Sequence, residues 1–353
     1  MSDSLSDVAR SEASWLRGDG PLHEIVISTR IRLARNITEY PFLSRADEAT
    51  RAEIARTVAE AVARTDCLAD LRQLDVEQLD DVDRGLLVER QLISRQHAES
   101  DGARLVAFDR SEACSLMINE EDHLRIQVMR SGLQLDEAWE QIDAIDNALD
   151  ARLEFAFHPQ FGYLTACPTN VGTGIRVSVM LHLPALKLTK EFEKVERAAR
   201  DMRLAVRGLF GEGTDALGDF FQISNQITLG KSELEIIDEF RDEIIPRIVD
   251  YEQKARQALL DHRLHALDDK IFRALGTLQT SRLMSSTEAM RCLSAVRMGL
   301  HIGRVHDVTL QTINELFLHT QPAHLQVLQG ERLSGEQRSV LRASMIRSRL
   351  HNN

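Results

Sequence analysis

The chain has 353 residues, 43% of them hydrophobic and 28% charged, and a formal net charge of −12 at pH 7. This length allows about two globular domains with sizeable cores. The acidic balance argues against general nucleic-acid binding, and no apolar run approaches the roughly 20 residues of a membrane helix. Because the N-terminus also lacks the basic and then apolar profile of a secretory signal, we expect a soluble cytoplasmic protein with no direct contact to nucleic acid or membrane.

Strands and helices alternate over the first two thirds of the chain. Between about residues 24 and 230, apolar and polar residues alternate with the period of a strand in eight short segments. These segments are "EIVISTRIRLA", "GLLVERQLIS", "ARLVAFD", "CSLMIN", "HLRIQVM", "GYLTACP", "GIRVSVMLHL" and "FQISNQI". Segments with helical spacing lie between them, for example "ADEATRAEIARTVAEAVA". The pattern predicts an α+β fold in which helices pack on a sheet.

The last third of the chain is predicted to be helical. Ser232 and Glu235 form a capping box, and similar pairs at 285/288 and 334/337 indicate further helix starts. We predict a loosely held N-terminal tail over residues 1–23, a sheet-and-helix domain over 24–254 and an all-helical domain over 255–353.

Three of the predicted strands place arginines on one face. Side chains alternate across a strand, so the polar positions of "STRIRL", "HLRIQVM" and "GIRVSVML" share a face opposite the apolar positions. The arginines on these faces are Arg30, Arg32, Arg125 and Arg176. Any one of these strands alone could be an ordinary solvated face. Together they predict a cationic floor, and planar guanidinium groups suit a polyphosphate.

Acidic and glycine-rich segments accompany the arginine strands. Residues 120–122 put three acids into one turn, and glycine-rich segments follow at 167–176 and 207–218. These two segments carry Cys167, Arg207 and Glu212. Neither segment fits a P-loop, a dinucleotide fingerprint or a protein-kinase catalytic loop. Taken alone, both segments are flexible turns and Cys167 is a small buried hydrophobe. The four cysteines show no CxxC or Cys/His spacing, so we expect neither a disulfide framework nor a protein-bound metal.

Four motifs in order give the chain a resemblance to a known family. "STRIRLARN", "NEEDHLRI", "CPTNVGTGIRVSV" and "RGLFGEG" resemble the signature segments of the phosphagen (guanidino) kinases. The resemblance covers about residues 24–254 and implies that family's catalytic domain, a curved antiparallel sheet flanked by helices. Only 27 residues precede Ser28, and a helical domain follows the catalytic one, as in the bacterial protein-arginine kinases.

The resemblance implies transfer of the γ-phosphoryl group of ATP to an arginine side chain of a protein. It implies Glu121 as the base, Glu212 as its partner and Cys167 as a residue beside the guanidinium, with Glu120 and Asp122 in supporting roles. Mg²⁺ is expected to bind through the nucleotide phosphates. The nucleotide-binding residues that the resemblance implies are Ser28, Thr29, Arg30, Ile31, Arg32, Arg125, Arg176, Val177, Ser178, Val179, Met180, Arg207, Gly208, Leu209, Phe210, Gly211 and Glu212.

The resemblance also implies partners and a regulatory site. It implies a homodimer formed through the helical domain, and a link to a Clp-type ATP-dependent protease in a stress response. Arg338 and Arg342 match positions of an allosteric phosphoarginine site, but Ser339 stands where that motif has an aspartate. Gln91 stands where the family usually has a histidine. Two alternatives stay open: a kinase of free arginine or another small guanidino compound, and a non-catalytic phosphoarginine-binding adaptor.

Overall fold

The computed structural model describes residues 5–208 and 217–351. In the described part of the chain, the strands are β1 Val26–Arg35, β2 Arg72–Asp75, β3 Leu105–Phe108, β4 Cys114–Ile118, β5 Leu124–Ser131, β6 Phe157–His158, β7 Gly162–Tyr163, β8 Ile175–His182, β9 Leu204–Gly208 and β10 Phe220–Asn225. Eight of them form one antiparallel sheet in the order β2-β3-β4-β5-β1-β8-β10-β9, and β6 and β7 form a small separate pair.

Helices pack around the sheet and make up the C-terminal region. They are α1 Ser6–Arg10, α2 Glu48–Ala63, α3 Asp81–Glu89, α4 Arg95–Glu99, α5 Leu135–Leu153, α6 Pro184–Leu188, α7 Phe192–Asp201, α8 Glu233–Asp238, α9 Ile245–His262, α10 Leu264–Thr280, α11 Ser286–His301, α12 Leu310–His319, α13 Pro322–Gln329 and α14 Gly335–His351. A π-helical stretch, Glu239–Ile244, joins α8 to α9. This architecture confirms the predicted α+β class with a helical C-terminal region. Among these helices, none combines the length and the apolar character needed to cross a bilayer.

The main core lies on one face of the sheet. Ile31 and Leu33 of β1 and Val177 of β8 are fully buried there, together with Ile142 and Leu149 of α5. Because side chains alternate along a strand, Arg30 and Arg32 of β1 and Arg176 of β8 project from the other face. The sheet therefore has one apolar face against helices and one face that carries charge.

Two sequence predictions about local structure were wrong. The segment "GLLVERQLIS" begins inside helix α3 rather than in a strand, because the Asp80 carboxylate caps α3 by accepting from the backbone N–H groups of Val82 and Asp83. In "GYLTACP" only Gly162–Tyr163 forms a strand. Short apolar runs fit both the period of a strand and the period of a helix. The alternation of apolar and polar residues alone therefore could not distinguish strand from helix in these two segments.

The N-terminal segment is packed rather than loosely held. Leu5 and Ala9 are fully buried, and Trp15 is 3% exposed. Further along the segment, the backbone N–H of Gly18 donates to Ser131 Oγ at 3.1 Å. This segment has apolar residues at helical spacing, which give it enough apolar surface to pack against the rest of the protein. The prediction of a loosely held tail did not take these residues into account.

Buried polar contacts join the helical region to the sheet-bearing part. The Glu252 carboxylate of α9 accepts from the first backbone N–H groups of α6, and Arg297 of α11 donates to the backbone carbonyl oxygens of His23 and Glu24. Helix α9 runs through residue 254 without a break, so the predicted domain boundary falls within a continuous helix. The division into domains stays a prediction.

Candidate active site

Strand pairing brings the arginines into one cavity. Arg32 of β1 lies opposite Arg176 of β8 on one side and opposite Gln127 of β5 on the other. The cavity has a volume of about 580 Å³. Its lining includes the predicted site residues Arg30, Arg32, Glu121, Arg125, Cys167, Arg176 and Arg207. The structure thus brings Arg207 into the same cavity as the four arginines of the predicted cationic floor, and the role of these residues stays a prediction.

The arginines crowd one another electrostatically. Burial, reinforced by the charges of Arg125, Arg176 and Arg207, lowers the pKa of Arg30 to about 10. Burial and the same kind of repulsion hold the pKa of Arg32 well below its usual range, and its Nε has no hydrogen-bond partner among the described residues. Such a cluster is stabilised when anionic oxygens bind between the guanidinium groups.

Two adjacent glutamates contact Arg125 in different ways. Glu120 is buried; its Oε2 lies 2.8 Å from Arg125 Nη1, and its Oε1 accepts from Ser94 Oγ at 2.6 Å. Glu121 Oε2 lies 3.1 Å from Arg125 Nη2, but its side chain is 33% exposed toward the cavity. Glu120 therefore supplies the fixed ion pair, and Glu121 is the carboxylate that a ligand can reach.

The two carboxyl groups have opposite pKa shifts. Burial would raise the pKa of Glu120, but Arg125 and the Ser94 hydroxyl hold it below its ordinary value. Burial raises the pKa of Glu121, and the charges of Asp122 and Glu120 add to this effect while Arg125 opposes it. A carboxylate with a raised pKa accepts a proton more readily, as a general base requires.

Asp122 connects the acidic turn to the segment that carries Cys167. Its buried Oδ1 accepts from Asn36 Nδ2 at 2.6 Å and from the backbone N–H of Ala166 at 2.7 Å. Asn36 also donates to the backbone carbonyl oxygen of Leu164 at 3.0 Å. These bonds fix the residues before Cys167 relative to Glu121.

Cys167 lies at the edge of the cavity. Its Sγ is 3.1 Å from Thr169 Oγ1, and the nearby Asn170 Oδ1 accepts from Arg176 Nη2 at 3.2 Å. Gly174, with φ of 67°, leads from this segment into β8, and a Cβ there would come within 2.7 Å of the Ala34 carbonyl oxygen. The close approach of two backbones explains why glycine stands there.

The other predicted nucleotide-binding residues of β1 and β8 form two groups, according to the face of the sheet on which their side chains lie. Thr29, Ile31, Val177 and Val179 are fully buried in the described structure and do not line the cavity. Ser28, Ser178 and Met180 line a smaller neighbouring cavity on the arginine face. Gly208 ends β9. Leu209, Phe210, Gly211 and Glu212 lie outside the described residues.

Among the polar cavity residues that sequence reasoning missed, Gln222 and Asn170 contact the arginines directly. Gln222 of β10 accepts from Arg30 Nη2 at 2.5 Å, and Asn170 contacts Arg176. Gln222 could have been found, because it alternates with Phe221 and Ile223 as the arginines alternate with their apolar neighbours. Asn170 lies in an irregular segment that shows no such periodic signal.

The predicted allosteric pair lies in α14. Arg342 is 3% exposed and donates to the backbone carbonyl oxygens of Thr320 and Met284 at 2.7 and 2.9 Å. Arg338 is only partly buried and donates through Nη1 to the carbonyl oxygen of Leu333. Arg342 therefore cross-links the helical region, and the phosphoarginine role of the pair stays a prediction.

Comparisons with known families match both parts of the chain. Residues 53–255 match the family model for the ATP:guanido phosphotransferase C-terminal catalytic domain. Residues 264–353 match the model for the protein-arginine kinase McsB C-terminal domain.

Known relatives match over nearly the whole chain. A protein-arginine kinase of Symbiobacterium thermophilum is 46% identical, covering 97% of this chain and 98% of the relative. A protein-arginine kinase of Halothermothrix orenii is 42% identical and covers 99% of each chain.

Two solved structures share the catalytic fold. Lombricine kinase superposes with a TM-score of 0.59 at 27% identity, over 69% of this chain and 70% of its own. The duplicated taurocyamine kinase of Schistosoma mansoni, with bound transition-state-analogue components, gives a TM-score of 0.61 at 25% identity, over 67% of this chain and 34% of its own. These matches agree with the arginines and the acidic turn of the cavity. The chain belongs to the ATP:guanido phosphotransferase family and, within it, to the protein-arginine kinases.

Proposed function

We propose that this protein transfers the γ-phosphoryl group of ATP to a guanidino nitrogen of arginine side chains in proteins. The observation that carries the proposal is that Glu121 and five arginines line one cavity. Two charged partners of opposite sign are needed for this reaction, a polyphosphate donor and a guanidinium acceptor. The cavity offers a matching region for each.

On the donor side, the arginines of the floor bind and orient the phosphates. Phosphoryl transfer is catalysed largely by positioning and by stabilising charge on the phosphate oxygens. Arg176 and Arg32, directly opposed across two strands, can bind neighbouring oxygens through parallel N–H donors. Each contact with a phosphate oxygen also relieves repulsion between the guanidinium groups. The favourable binding energy therefore arises at the phosphate oxygens, where charge develops during the transfer.

On the acceptor side, Glu121 receives the guanidinium and its proton. A guanidinium is a poor nucleophile because its lone pairs are delocalised, so a proton must leave as the nitrogen attacks. In the proposed step the N–P bond forms, the bond from phosphorus to the ADP oxygen breaks, and Glu121 takes the proton. Glu120 keeps Arg125 paired during this exchange, so Glu121 can release Arg125 without leaving a buried cation alone.

Cys167 and Glu212 complete the acceptor site in this proposal. Cys167 lies at the cavity edge, where its side chain can contact the guanidinium plane and limit its orientation. Glu212 enters through the family resemblance, as the second carboxylate on the acceptor.

Mg²⁺ is proposed to arrive with the nucleotide. The carboxylates of Glu120 and Glu121 are both paired with Arg125, so oxygens of the nucleotide phosphates are better ligands for the ion. Mg²⁺ bound there neutralises phosphate charge alongside the arginines.

Several wider proposals rest on the family resemblance. They are homodimer formation through the helical region, action in the cytoplasm during stress, and marking of proteins for a Clp-type protease. A phosphoarginine regulator would bind at Arg338 and Arg342, whose guanidinium groups also donate to backbone carbonyl oxygens of the helical region. Without a carboxylate at position 339, we expect such activation to be weak.

The activity can be tested with two acceptors in parallel. The protein is incubated with Mg-ATP and either an unfolded arginine-rich protein or free arginine, and products are analysed by mass spectrometry at neutral pH because phosphoarginine is acid-labile. A substrate in which every arginine is replaced by lysine serves as the control. We expect phosphate on the arginines of the protein. Phosphorylation of free arginine alone would indicate a small-molecule kinase, and no product with either acceptor would indicate a non-catalytic binding protein.

A further inference from the structure

Four exposed apolar side chains border the edge of the cavity at which Cys167 lies. Phe157 and Phe161 belong to the hairpin of β6 and β7, and Ile227 and Leu229 follow β10. Their exposed fractions are 58%, 45%, 42% and 53%. We call these four side chains the apolar rim. Single exposed apolar residues are common, but several on neighbouring segments indicate a binding surface.

Backbone contacts join the two halves of the apolar rim through Gly172, in the segment that carries Cys167. The backbone N–H of Tyr163 in the hairpin donates to the Gly172 carbonyl oxygen at 2.7 Å, and the Gly172 N–H donates to the Tyr163 carbonyl oxygen at 3.3 Å. The same glycine approaches the segment after β10, because a Cβ built at position 172 would lie 3.0 Å from the Leu229 Cα. The hairpin and the segment after β10 therefore both contact one residue of the cysteine segment.

The apolar rim begins directly at the cavity. Gln226, which lines the cavity, immediately precedes Ile227. The buried Thr228 hydroxyl donates to the backbone carbonyl oxygen of Val171 at 2.7 Å and lies 3.0 Å from that of Thr169, another residue of the cavity lining. An extended ligand that leaves the cavity at this edge is therefore brought to the rim.

The aromatic rings of the hairpin are ordered by contacts with one another. Phe157 and Tyr163 meet edge to face with their ring centroids 5.3 Å apart, and His158 and Phe161 stack at 4.9 Å. The guanidinium carbon of the buried Arg35 lies 3.5 Å from the centre of the Tyr163 ring. Side chains that are already ordered lose little conformational entropy on binding, so this hairpin is suited to recognition of apolar groups.

Negative charge lies beside the hairpin. Burial raises the pKa of the Tyr163 hydroxyl; Arg35 opposes this change, and the charges of Asp146, Asp150 and Glu233 add to it. Asp146 is paired with Arg35 at 2.8 Å, so Asp150 and Glu233 supply the net negative charge. A polypeptide that carries arginine is attracted to such a surface.

We propose that the apolar rim binds apolar side chains of an unfolded polypeptide that lie two or three positions from the target arginine. This inference rests on the proposed function, in which the acceptor is an arginine of a protein. An extended chain advances about 3.3 Å per residue, so these side chains lie about 7–10 Å from the arginine and outside the cavity. The rim therefore selects among the arginines of a substrate by their neighbours in sequence.

Three peptides test the selection. The first has one arginine with leucine and phenylalanine at the second and third positions on each side, and the second has serine at those positions. We expect kcat/KM to be about tenfold higher for the first peptide, mainly through a lower KM, because apolar surface is buried on the rim. Equal kcat/KM values would overturn the inference and leave the proposed function intact.

The third peptide separates docking from catalysis. It keeps the apolar flanks and carries lysine in place of arginine, and its binding is followed by fluorescence anisotropy of an attached dye. If neither arginine peptide is phosphorylated, the proposed function is contradicted, and the lysine peptide still tests the rim. Saturable binding that the serine peptide does not compete supports docking, and absence of binding overturns it.

Variants test the position of the docking surface. The double variant Phe157→Ser, Leu229→Ser should reduce the preference for apolar flanks to about twofold or less, because it removes two of the four apolar side chains. Phe272→Ser is the matched control, since Phe272 is 48% exposed on α10, and it should keep the full preference. If the double variant does not fold, Phe161→Ser gives the same comparison with a smaller loss. MgADP affinity serves as the check that the cavity is intact.

Two results with the double variant would overturn the inference. An unchanged preference for apolar flanks would show that these side chains bind elsewhere. A lower association state than that of the unmodified protein, measured by sedimentation, would identify the apolar rim as a contact between copies of this chain.

Discussion

Arg32 on β1 and Arg176 on β8 are directly opposed in the antiparallel pairing of their strands. Like charges in such pairs destabilise a sheet, and here repulsion from Arg30, Arg125 and Arg176 also depresses the pKa of Arg32, after the larger effect of burial. The unliganded site therefore holds unfavourable electrostatic energy, which a bound polyanion removes.

The first prediction concerns this stored repulsion. Saturating tripolyphosphate should raise the melting temperature by about 5 °C, because it binds the folded state alone. Arg32→Gln should raise the melting temperature of the free protein at low salt and remove the response to tripolyphosphate. Calorimetric scans of both proteins at two salt concentrations provide the measurement. An Arg32→Gln protein that melts earlier and still responds to tripolyphosphate would contradict the electrostatic account.

The second prediction separates charge from geometry at Arg176. Arg176→Lys keeps the charge and loses the planar pair of donors, so we expect the KM for ATP to rise on the order of tenfold. Arg130→Lys is the matched control, because Arg130 lies on β5 opposite Thr29, on the sheet face away from the cavity. Steady-state kinetics at varied ATP decide the question. Equal KM values for the two variants would remove Arg176 from the nucleotide site.

The third prediction concerns Asp122, which connects the acidic turn to the cysteine segment. Asp122→Asn retains an oxygen that can accept from Asn36 and Ala166, and should keep most of the activity. Asp122→Ala removes the acceptor of the Ala166 N–H and of one Asn36 N–H, and should cost about 1–3 kcal/mol of stability as well as activity. Urea unfolding and kinase assays on the same samples test this. If the two variants behave alike, the hydrogen bonds through Oδ1 do not position the site.

The fourth prediction is a pH dependence. Burial raises the pKa of Glu121 above the ordinary 4.5, and the base must be deprotonated to act, so activity is lost as the pH falls through this raised value. Glu120→Gln removes a neighbouring negative charge and frees Arg125 to pair with Glu121 alone. Both changes favour the carboxylate form of Glu121. In Glu120→Gln, the pH at which kcat/KM falls on the acid side should therefore be lower. The activity is measured as release of ADP. A limb at or below 4.5, or one that Glu120→Gln leaves in place, would contradict the assignment.

Much of the site could be predicted from strand periodicity. Arg30 and Arg32 alternate with buried residues, and this local pattern indicated their common face without any tertiary information. The different roles of Glu120 and Glu121 came from the family resemblance and not from periodicity, because the contacts of Ser94 and Arg125 with Glu120 join segments that are distant in the chain or show no pattern. The three acids look equivalent in sequence.

Contacts between distant segments were also beyond sequence reasoning. Trp15 was expected in a loose tail, yet it lies beside Met180, 165 positions later in the chain, and its segment is held by α12. The burial of Arg342 likewise depends on carbonyl oxygens of two other segments. No local pattern encodes which carbonyl oxygens a side chain will meet.

In the proposed reaction, Glu121 accepts the proton from the arginine acceptor. The most direct test is single-turnover formation of phosphoarginine by Glu121→Gln, compared with the unmodified protein and with Glu137→Gln, an exposed control on α5. Calorimetry with MgADP should show nearly unchanged nucleotide affinity in all three proteins. We predict that Glu121→Gln forms product slower by orders of magnitude while the control matches the unmodified protein. Product formation by Glu121→Gln at close to the unmodified rate would show that another group takes the proton.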